Sequence, residues 1–456
     1  MGLSKAMADF VYGLNSESIP PNVLEKAKAC LLNGFGIGLG GHNTPFAPVA
    51  RQAALNMNGE WKEGGATLLG DGRRTSVAGA AIANSALFHG RAQEDTCGSA
   101  HLGAIMIPLL TAMVEAHEYS LDRFLSALVA GYEIGGLLEH AYSGFTTPAG
   151  FRSSTIYGTI AAAAASAKLM NLTAQQTEAA LSNAASFSGG LLQSFADGTD
   201  EWRYQVGVVA QTGYTAAQLA RAGSISAPNA FEGGAGFVKA FAGTECNVEA
   251  LKKKLGQEWA VLRVTFKPFP VCAFNQTPVI AGLKLHEEMQ KQRVDFTTID
   301  RIKVHMNPYE TGYAGMDARG PFNSISGTLM SIPFCIATTM LYGEPDMHRM
   351  TSYEDKRVAQ LMERIDLIPD KSVDKLCCVI QVNRQSGDPL VQTQIMTYHD
   401  YSYDRQGVSK LIRRVGSETG LPESLYLKLE AFVDAPEQHS IVDVINCFSQ
   451  LPTTVK

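Results

Sequence analysis

The sequence has little cysteine, few charged residues and no long apolar run, and each shortage excludes a class of protein. Its 456 residues include eight scattered cysteines without a CxxC pair, so neither a disulfide framework nor a structural zinc site is expected. The ten histidines form no HExxH or HxH spacing, so we expect no metal. The most apolar stretch, from Ile160 to Met170, contains Lys168 and is too short to cross a bilayer.

Charge is sparse and slightly negative. Lys and Arg number 38 against 44 Asp and Glu, a net charge of −6, and no basic run is longer than the three lysines at 252–254. Nucleic acid and anionic membranes are therefore not expected as partners. The first residues, MGLSKAMADFVYGLN, lack a basic segment followed by an apolar core, so we expect no signal peptide and a cytoplasmic protein.

The hydrophobic pattern predicts a mainly α protein with a second, α+β domain. Apolar residues recur at helical spacing over 1–263, and many of these segments are rich in alanine and glycine. Residues 264–402 mix strand-like and helical segments, including two strand runs around a turn at Ser386–Asp388. The pattern returns to helix over 403–456. We predict a large helical domain over 1–263, completed by 403–456, and a smaller α/β lid domain over 264–402.

A glycine motif in the first domain resembles a nucleotide-binding fingerprint only superficially. Gly36, Gly38 and Gly41 fit GxGxxG, but a helix, LEKAKACLLN, precedes them where the fingerprint needs a strand. Close helix packing is the preferred interpretation, and we expect no dinucleotide or other cofactor.

A polar segment near residue 95 separates two apolar helices. Glu94, Asp95, Thr96 and His101 place two carboxylates, a hydroxyl and an imidazole within eight residues. A carboxylate can orient a histidine, and a histidine moves protons near neutral pH. The alternative is a helix start, with Asp95 or Thr96 as the cap and His101 as a buried hydrogen-bonded side chain.

Three further places carry cations. Lys267 lies in FKPFP, where prolines stiffen the backbone and aromatic residues desolvate the amine, although a hinge with a solvent-reaching lysine fits as well. Arg152 precedes a helix of small residues. The loop GTDEWRYQVG over 198–207 carries Arg203, although a solvated connector is the alternative there. Together these cations indicate a small di- or tricarboxylate as substrate.

At these residues the chain resembles the MmgE/PrpD family, which includes 2-methylcitrate dehydratase, cis-aconitate decarboxylase and iminodisuccinate epimerase. Five segments in the family's order carry the resemblance: ANSALFHGRAQEDTCGSAHLGAIMIPLLTAMVEAH, GFRSSTIYGTIAAAAASAKLM, DGTDEWRYQVGVVAQTGYTAAQLA, FKPFPVCAFNQTPVIAG and SGTLMSIPFCIATTMLYGEP. The resemblance implies a helical domain with a smaller α/β lid, a homodimer, an active site in the cleft between the domains, and no required metal.

The resemblance also implies roles for single residues. Asp95 and Thr96 match the end of the family's DDT motif, His101 matches the histidine of its HP pair, and Lys267 matches the lysine of its KxFP segment. Three positions depart from decarboxylase-type members. An aspartate is replaced by Ala92, a histidine by Arg152 and a lysine by Trp202. The fold therefore transfers from the family, whereas the substrate does not.

These residues predict a metal-independent lyase or isomerase that removes a proton α to a carboxylate. His101, oriented by Asp95 or Glu94, is the predicted proton-transfer residue, and Lys267 stabilises the developing charge. We expect a dehydratase, with an epimerase, isomerase or decarboxylase as alternatives and a non-catalytic carboxylate-binding protein as an alternative of another class. The predicted substrate-binding residues are Glu94, Thr96, Arg152, Trp202, Arg203 and Tyr204.

Overall fold

The computed structural model describes residues 2–452, which form two units. The first unit comprises the described residues up to Leu191, the segment Arg203–Phe266 and the described residues from Tyr403 onward. The second unit comprises Leu192–Trp202 and Lys267–Ser402. The predicted class, mainly α with a smaller α+β part, is confirmed.

Helices dominate the described residues. In chain order they are α1 (Leu3–Gly13), α2 (Pro21–Gly40), α3 (Phe46–Asn58), α4 (Val77–Phe88), α5 (Gly103–His117), α6 (Phe124–Thr146), α7 (Ser153–Leu169), α8 (Ala174–Phe187), α9 (Gln193–Asp197), α10 (Glu201–Arg221), α11 (Val248–Lys254), α12 (Gln276–Gln292), α13 (Pro308–Thr311), α14 (Ile325–Thr328), α15 (Ile332–Tyr342), α16 (Met347–Met350), α17 (Lys356–Met362), α18 (Arg405–Thr419), α19 (Glu423–Asp434) and α20 (Ile441–Ser449). No helix of residues 2–452 is long and apolar enough to span a bilayer.

Small residues let the helices of the first unit approach closely. A Cβ added to Gly135 of α6 would lie 2.8 Å from the Cβ of Ala161 on α7, so the glycine is needed for this contact. The same holds for Gly38 of the GxGxxG motif on α2, since a Cβ there would lie 2.7 Å from the ring of Phe88, the last residue of α4. These two glycines thus allow helices to pack closely.

The second unit is built around a four-stranded sheet. The strands of the described residues are β1 (Ala66–Thr67), β2 (Arg74–Thr75), β3 (Thr96–Cys97), β4 (Val264–Thr265), β5 (Ile299–Met306), β6 (Ile365–Pro369), β7 (Cys377–Arg384) and β8 (Leu390–Ile395). The four-stranded sheet has the order β6-β5-β7-β8, in which β5 and β6 are parallel and the other pairs are antiparallel. Helix α12 packs against α15 and against β7 and β8. The two strands predicted around the 386–388 turn are confirmed as β7 and β8.

Candidate active site

The polar loop between α4 and α5 is buried in the first unit. It runs from His89 to Leu102 and includes the two-residue strand β3, which pairs with β4. Ala92 has a φ of 53°, in the left-handed region that costs a non-glycine residue about 1–2 kcal/mol. A buried loop that keeps such a residue is held by its surroundings, and this loop carries four of the nine predicted site residues, Glu94, Asp95, Thr96 and His101.

Glu94 lies between two histidines. Its Oε1 is 2.9 Å from Nδ1 of His101, and its Oε2 is 3.1 Å from Nδ1 of His89. The side chains of Glu94 and His89 are 1% and 0% exposed, whereas that of His101 is 16% exposed. Burial lowers the pKa of His89 well below its ordinary value, and the charge of Glu94 opposes this shift only in part. His101 is thus the histidine of this group that solvent or a small molecule reaches.

The carboxylate of Asp95 bonds to a tyrosine. Its Oδ2 accepts a 2.5 Å hydrogen bond from the hydroxyl of Tyr132 on α6, and its backbone carbonyl lies 3.4 Å from Nδ1 of His101. Burial, together with the negative charge of Asp95, raises the pKa of Tyr132 well above its ordinary value. Of the two carboxylates left open by the sequence, the one whose side chain contacts His101 is therefore Glu94.

Arg152 contacts the other side of His89. This residue directly precedes α7, is 1% exposed, and brings its Nη2 to 2.9 Å from Nε2 of His89. Its Nη1 donates to Oε1 of Gln205 at 3.1 Å. The first unit therefore holds a continuous row of side chains, Arg152, His89, Glu94 and His101, which we call the histidine row.

The other predicted residues of the first unit also bond within it. Arg203 donates through Nη1 to the carbonyls of His89 and Gly90, at 2.7 and 2.5 Å, so it holds the backbone where the loop begins. The hydroxyl of Thr96 lies 2.7 Å from that of Thr265, beside the β3–β4 pair. Tyr204 is half-buried in the first turn of α10.

Lys267 and Trp202 belong to the second unit. Lys267 is 3% exposed, and its charge partly offsets the effect of burial, which raises the pKa of Cys272 to about 11. The indole of Trp202 is buried and stacks on Phe195 with ring centroids 5.0 Å apart. The edge of Phe195 in turn meets Tyr313. Trp202 therefore belongs to an aromatic cluster.

Sequence reasoning overlooked His89, although it lies next to both Glu94 and Arg152. The only signal in the sequence is its position directly after the last residue of α4, where a polar residue follows a mostly apolar helix. Its contact with Arg152 joins residues 63 positions apart, which no local pattern predicts.

Two protein-family models match this chain, one after the other. The MmgE/PrpD N-terminal domain matches residues 5–249, and the MmgE/PrpD C-terminal domain matches residues 269–401. The chain belongs to the MmgE/PrpD family. The resemblance found in the five sequence segments is thereby confirmed.

The proteins that are similar to this chain include fungal and human ones. A cis-aconitate decarboxylase-like protein, oryM, of Aspergillus oryzae is 28% identical over 81% of this MmgE/PrpD chain and 80% of its own length. The cis-aconitate decarboxylase of Aspergillus terreus is 25% identical over 78% of this chain and 75% of its own length. The human cis-aconitate decarboxylase is 27% identical over 66% of this chain and 63% of its own length.

The site offers proton-transfer chemistry. A histidine backed by a buried carboxylate is a general acid–base arrangement. Among residues 2–452, no three His, Cys, Asp or Glu side chains are arranged to hold a metal ion.

Proposed function

We propose that this chain is a metal-independent lyase or isomerase that removes a proton α to a carboxylate of a small di- or tricarboxylate. The observation that carries the proposal is the 2.9 Å contact between Glu94 and His101. Family membership supports the lyase range, since the similar fungal and human proteins are named cis-aconitate decarboxylases.

His101 acts as the general base in this proposal. Its Nδ1 faces two acceptors, Oε1 of Glu94 and the carbonyl of Asp95, so this nitrogen carries the hydrogen. The lone pair of the neutral ring is then on Nε2, which takes the α-proton of the substrate. General acid–base catalysis of this kind contributes about 10²–10⁴-fold in rate.

The carbanion formed next to a carboxylate needs positive charge close by. Arg152 and Arg203 both donate hydrogen bonds to groups of the protein. We assign this stabilisation to Lys267 because it matches the lysine of the family's KxFP segment. Arg152 and Arg203 stay predicted substrate-binding residues with a second, structural task.

Dehydration is the reaction we propose first. After His101 takes the proton, the electron pair of the C–H bond forms the new double bond as the C–O bond to the β-hydroxyl breaks. The departing oxygen takes the proton from His101, so water leaves and the ring of His101 returns to its neutral form. Ala92 and Trp202 replace the aspartate and lysine of decarboxylase-type members, which argues against decarboxylation as their constellation performs it. Return of the proton to the other face would give an epimerase.

A ligand screen followed by product analysis tests the proposal. Thermal shift over C4 to C7 di- and tricarboxylates, including citrate, isocitrate, malate and cis-aconitate, identifies the compound that stabilises the protein, because a ligand that binds only the native state raises its stability. Proton NMR then distinguishes loss of water, loss of CO₂ and inversion. Stabilisation without any product or proton exchange supports the non-catalytic binding protein instead.

A further inference from the structure

The chemistry of the histidine row restricts where its hydrogens lie. An arginine guanidinium is always protonated and has no acceptor. Nη2 of Arg152 therefore donates to Nε2 of His89 across the 2.9 Å contact, and that nitrogen must hold a lone pair. The ring hydrogen of His89 is then on Nδ1, the nitrogen that lies 3.1 Å from Oε2 of Glu94.

The surroundings of His89 favour the same neutral ring. Arg152 on one side and the ring of His101, with its centroid 5.2 Å away, on the other both disfavour a second positive charge. Glu94 is the negative group in contact with it. The lowered pKa of His89 agrees with a ring that stays neutral at physiological pH.

We propose that Arg152 and His89 are positioning residues that fix the hydrogen pattern of the row, so that Glu94 always presents Oε1 to Nδ1 of His101. The proposal rests on the proposed function, because the fixed hydrogen pattern explains why Nε2 is the atom of His101 that accepts the proton. It also gives a reason for an arginine at position 152, since a residue able to accept a hydrogen bond would let the pattern reverse.

The variant Glu94→Gln tests this hydrogen pattern. The introduced amide keeps one acceptor and gains an NH₂ group that only donates. Because Arg152 holds Nε2 of His89, the amide oxygen must face His89 and the NH₂ group must face His101. His101 then carries its hydrogen on Nε2 and loses its base, so we expect kcat to fall by about 10²–10⁴-fold with little change in KM.

Addition of Arg152→Gln should restore part of this activity. A glutamine at 152 either donates or accepts, so His89 is able to move its hydrogen to Nε2 and to accept from the introduced amide at 94. The oxygen of that amide then turns to His101, whose Nε2 becomes a base again. Arg152→Gln alone should lower kcat less than Glu94→Gln does, because the intact carboxylate still accepts from both rings. A merely structural arginine gives no reason for recovery, because its loss would not change which end of the amide at position 94 faces His101.

The experiment measures activity and tautomers in the same four proteins: wild type, the two single variants and the double variant. Activity is turnover, or exchange of α-protons into D₂O, with whichever of citrate, isocitrate, malate and cis-aconitate gives the largest thermal shift. Nitrogen-15 NMR of labelled histidine gives the tautomers without any ligand. The matched control is Arg51→Gln, which removes another buried arginine of the first unit, one that donates to the carbonyl of Leu69. It should not restore the Glu94→Gln variant.

Partial recovery in the double variant, with Nδ1–H on His89 in wild type and Nε2–H in the double variant, supports the proposal. A folded double variant no more active than Glu94→Gln, or a wild-type His89 that carries its hydrogen on Nε2, overturns it. If wild type neither turns over nor exchanges any of the four compounds, the proposed function fails, while the wild-type tautomer of His89 still decides the role of Arg152.

Discussion

Glu310 makes the stability of the second unit depend on pH. This residue of α13 is 1% exposed, and its Oε1 accepts a 2.9 Å hydrogen bond from the backbone N–H of Leu376. Its Oε2 is buried and has no hydrogen-bond partner among residues 2–452. Burial raises the pKa of Glu310 from 4.5 to about 7. The perturbation of interest is Glu310→Gln, which keeps the shape and the acceptor for Leu376 but cannot ionise.

The direction in which pH changes the free energy of unfolding follows from proton binding. Between pH 4.5 and about 7 the folded protein holds a proton on Glu310 that the unfolded chain has lost, so the free energy of unfolding falls as pH rises through this window. With these two pKa values, the loss between pH 5 and pH 8 is roughly 2 to 3 kcal/mol. Glu310→Gln should remove this loss, so it should be stabilising relative to wild type at pH 8 and close to neutral at pH 5.

The assay is denaturant unfolding of wild type and variant at pH 5 and pH 8, followed by a probe of the second unit. The control is Glu363→Gln, which removes an exposed carboxylate of the same unit and should leave the pH dependence unchanged. Equal pH dependence in wild type and Glu310→Gln would refute the argument from burial.

Two further predictions concern the ligand and the metal. Lys267→Met should weaken binding of the stabilising di- or tricarboxylate, measured by calorimetry. The control is Lys284→Met, which removes a lysine of the second unit bonded to Gln394 and should leave the affinity unchanged. Equal affinity in both variants contradicts the role given to Lys267. Dialysis against a strong chelator should leave activity unchanged. Activity that is lost on chelation and restored by one divalent ion would overturn the metal-free mechanism.

Local signals in the sequence predicted much of the helical framework. Pro21 occupies the first turn of α2, and Thr173 caps α8, where it forms a capping box with Gln176. These features depend on neighbours within four residues, so a single sequence contains them. The contents of the helical core were also readable, because alanine and glycine on all sides of a helix suit close packing.

The arrangement of the site was not readable to the same degree. Glu94 and Asp95 are adjacent and chemically alike, yet one side chain meets two histidines and the other meets Tyr132. That difference depends on the backbone of a loop held by Arg203 and by helix packing, which is tertiary information. For the same reason the contact between Arg152 and His89 emerged only from the structure.

Exchange of the substrate's α-hydrogen with solvent tests the central claim, proton abstraction by His101, most directly. The tightest-binding compound among citrate, isocitrate, malate and cis-aconitate is incubated with wild type in D₂O, and a proton α to its carboxylate is followed by NMR. The account predicts loss of that signal in wild type, slowed by about 10²–10⁴-fold in His101→Ala, even where no net product accumulates. A signal that stays intact over many hours in wild type, with binding confirmed and no product formed, would contradict it.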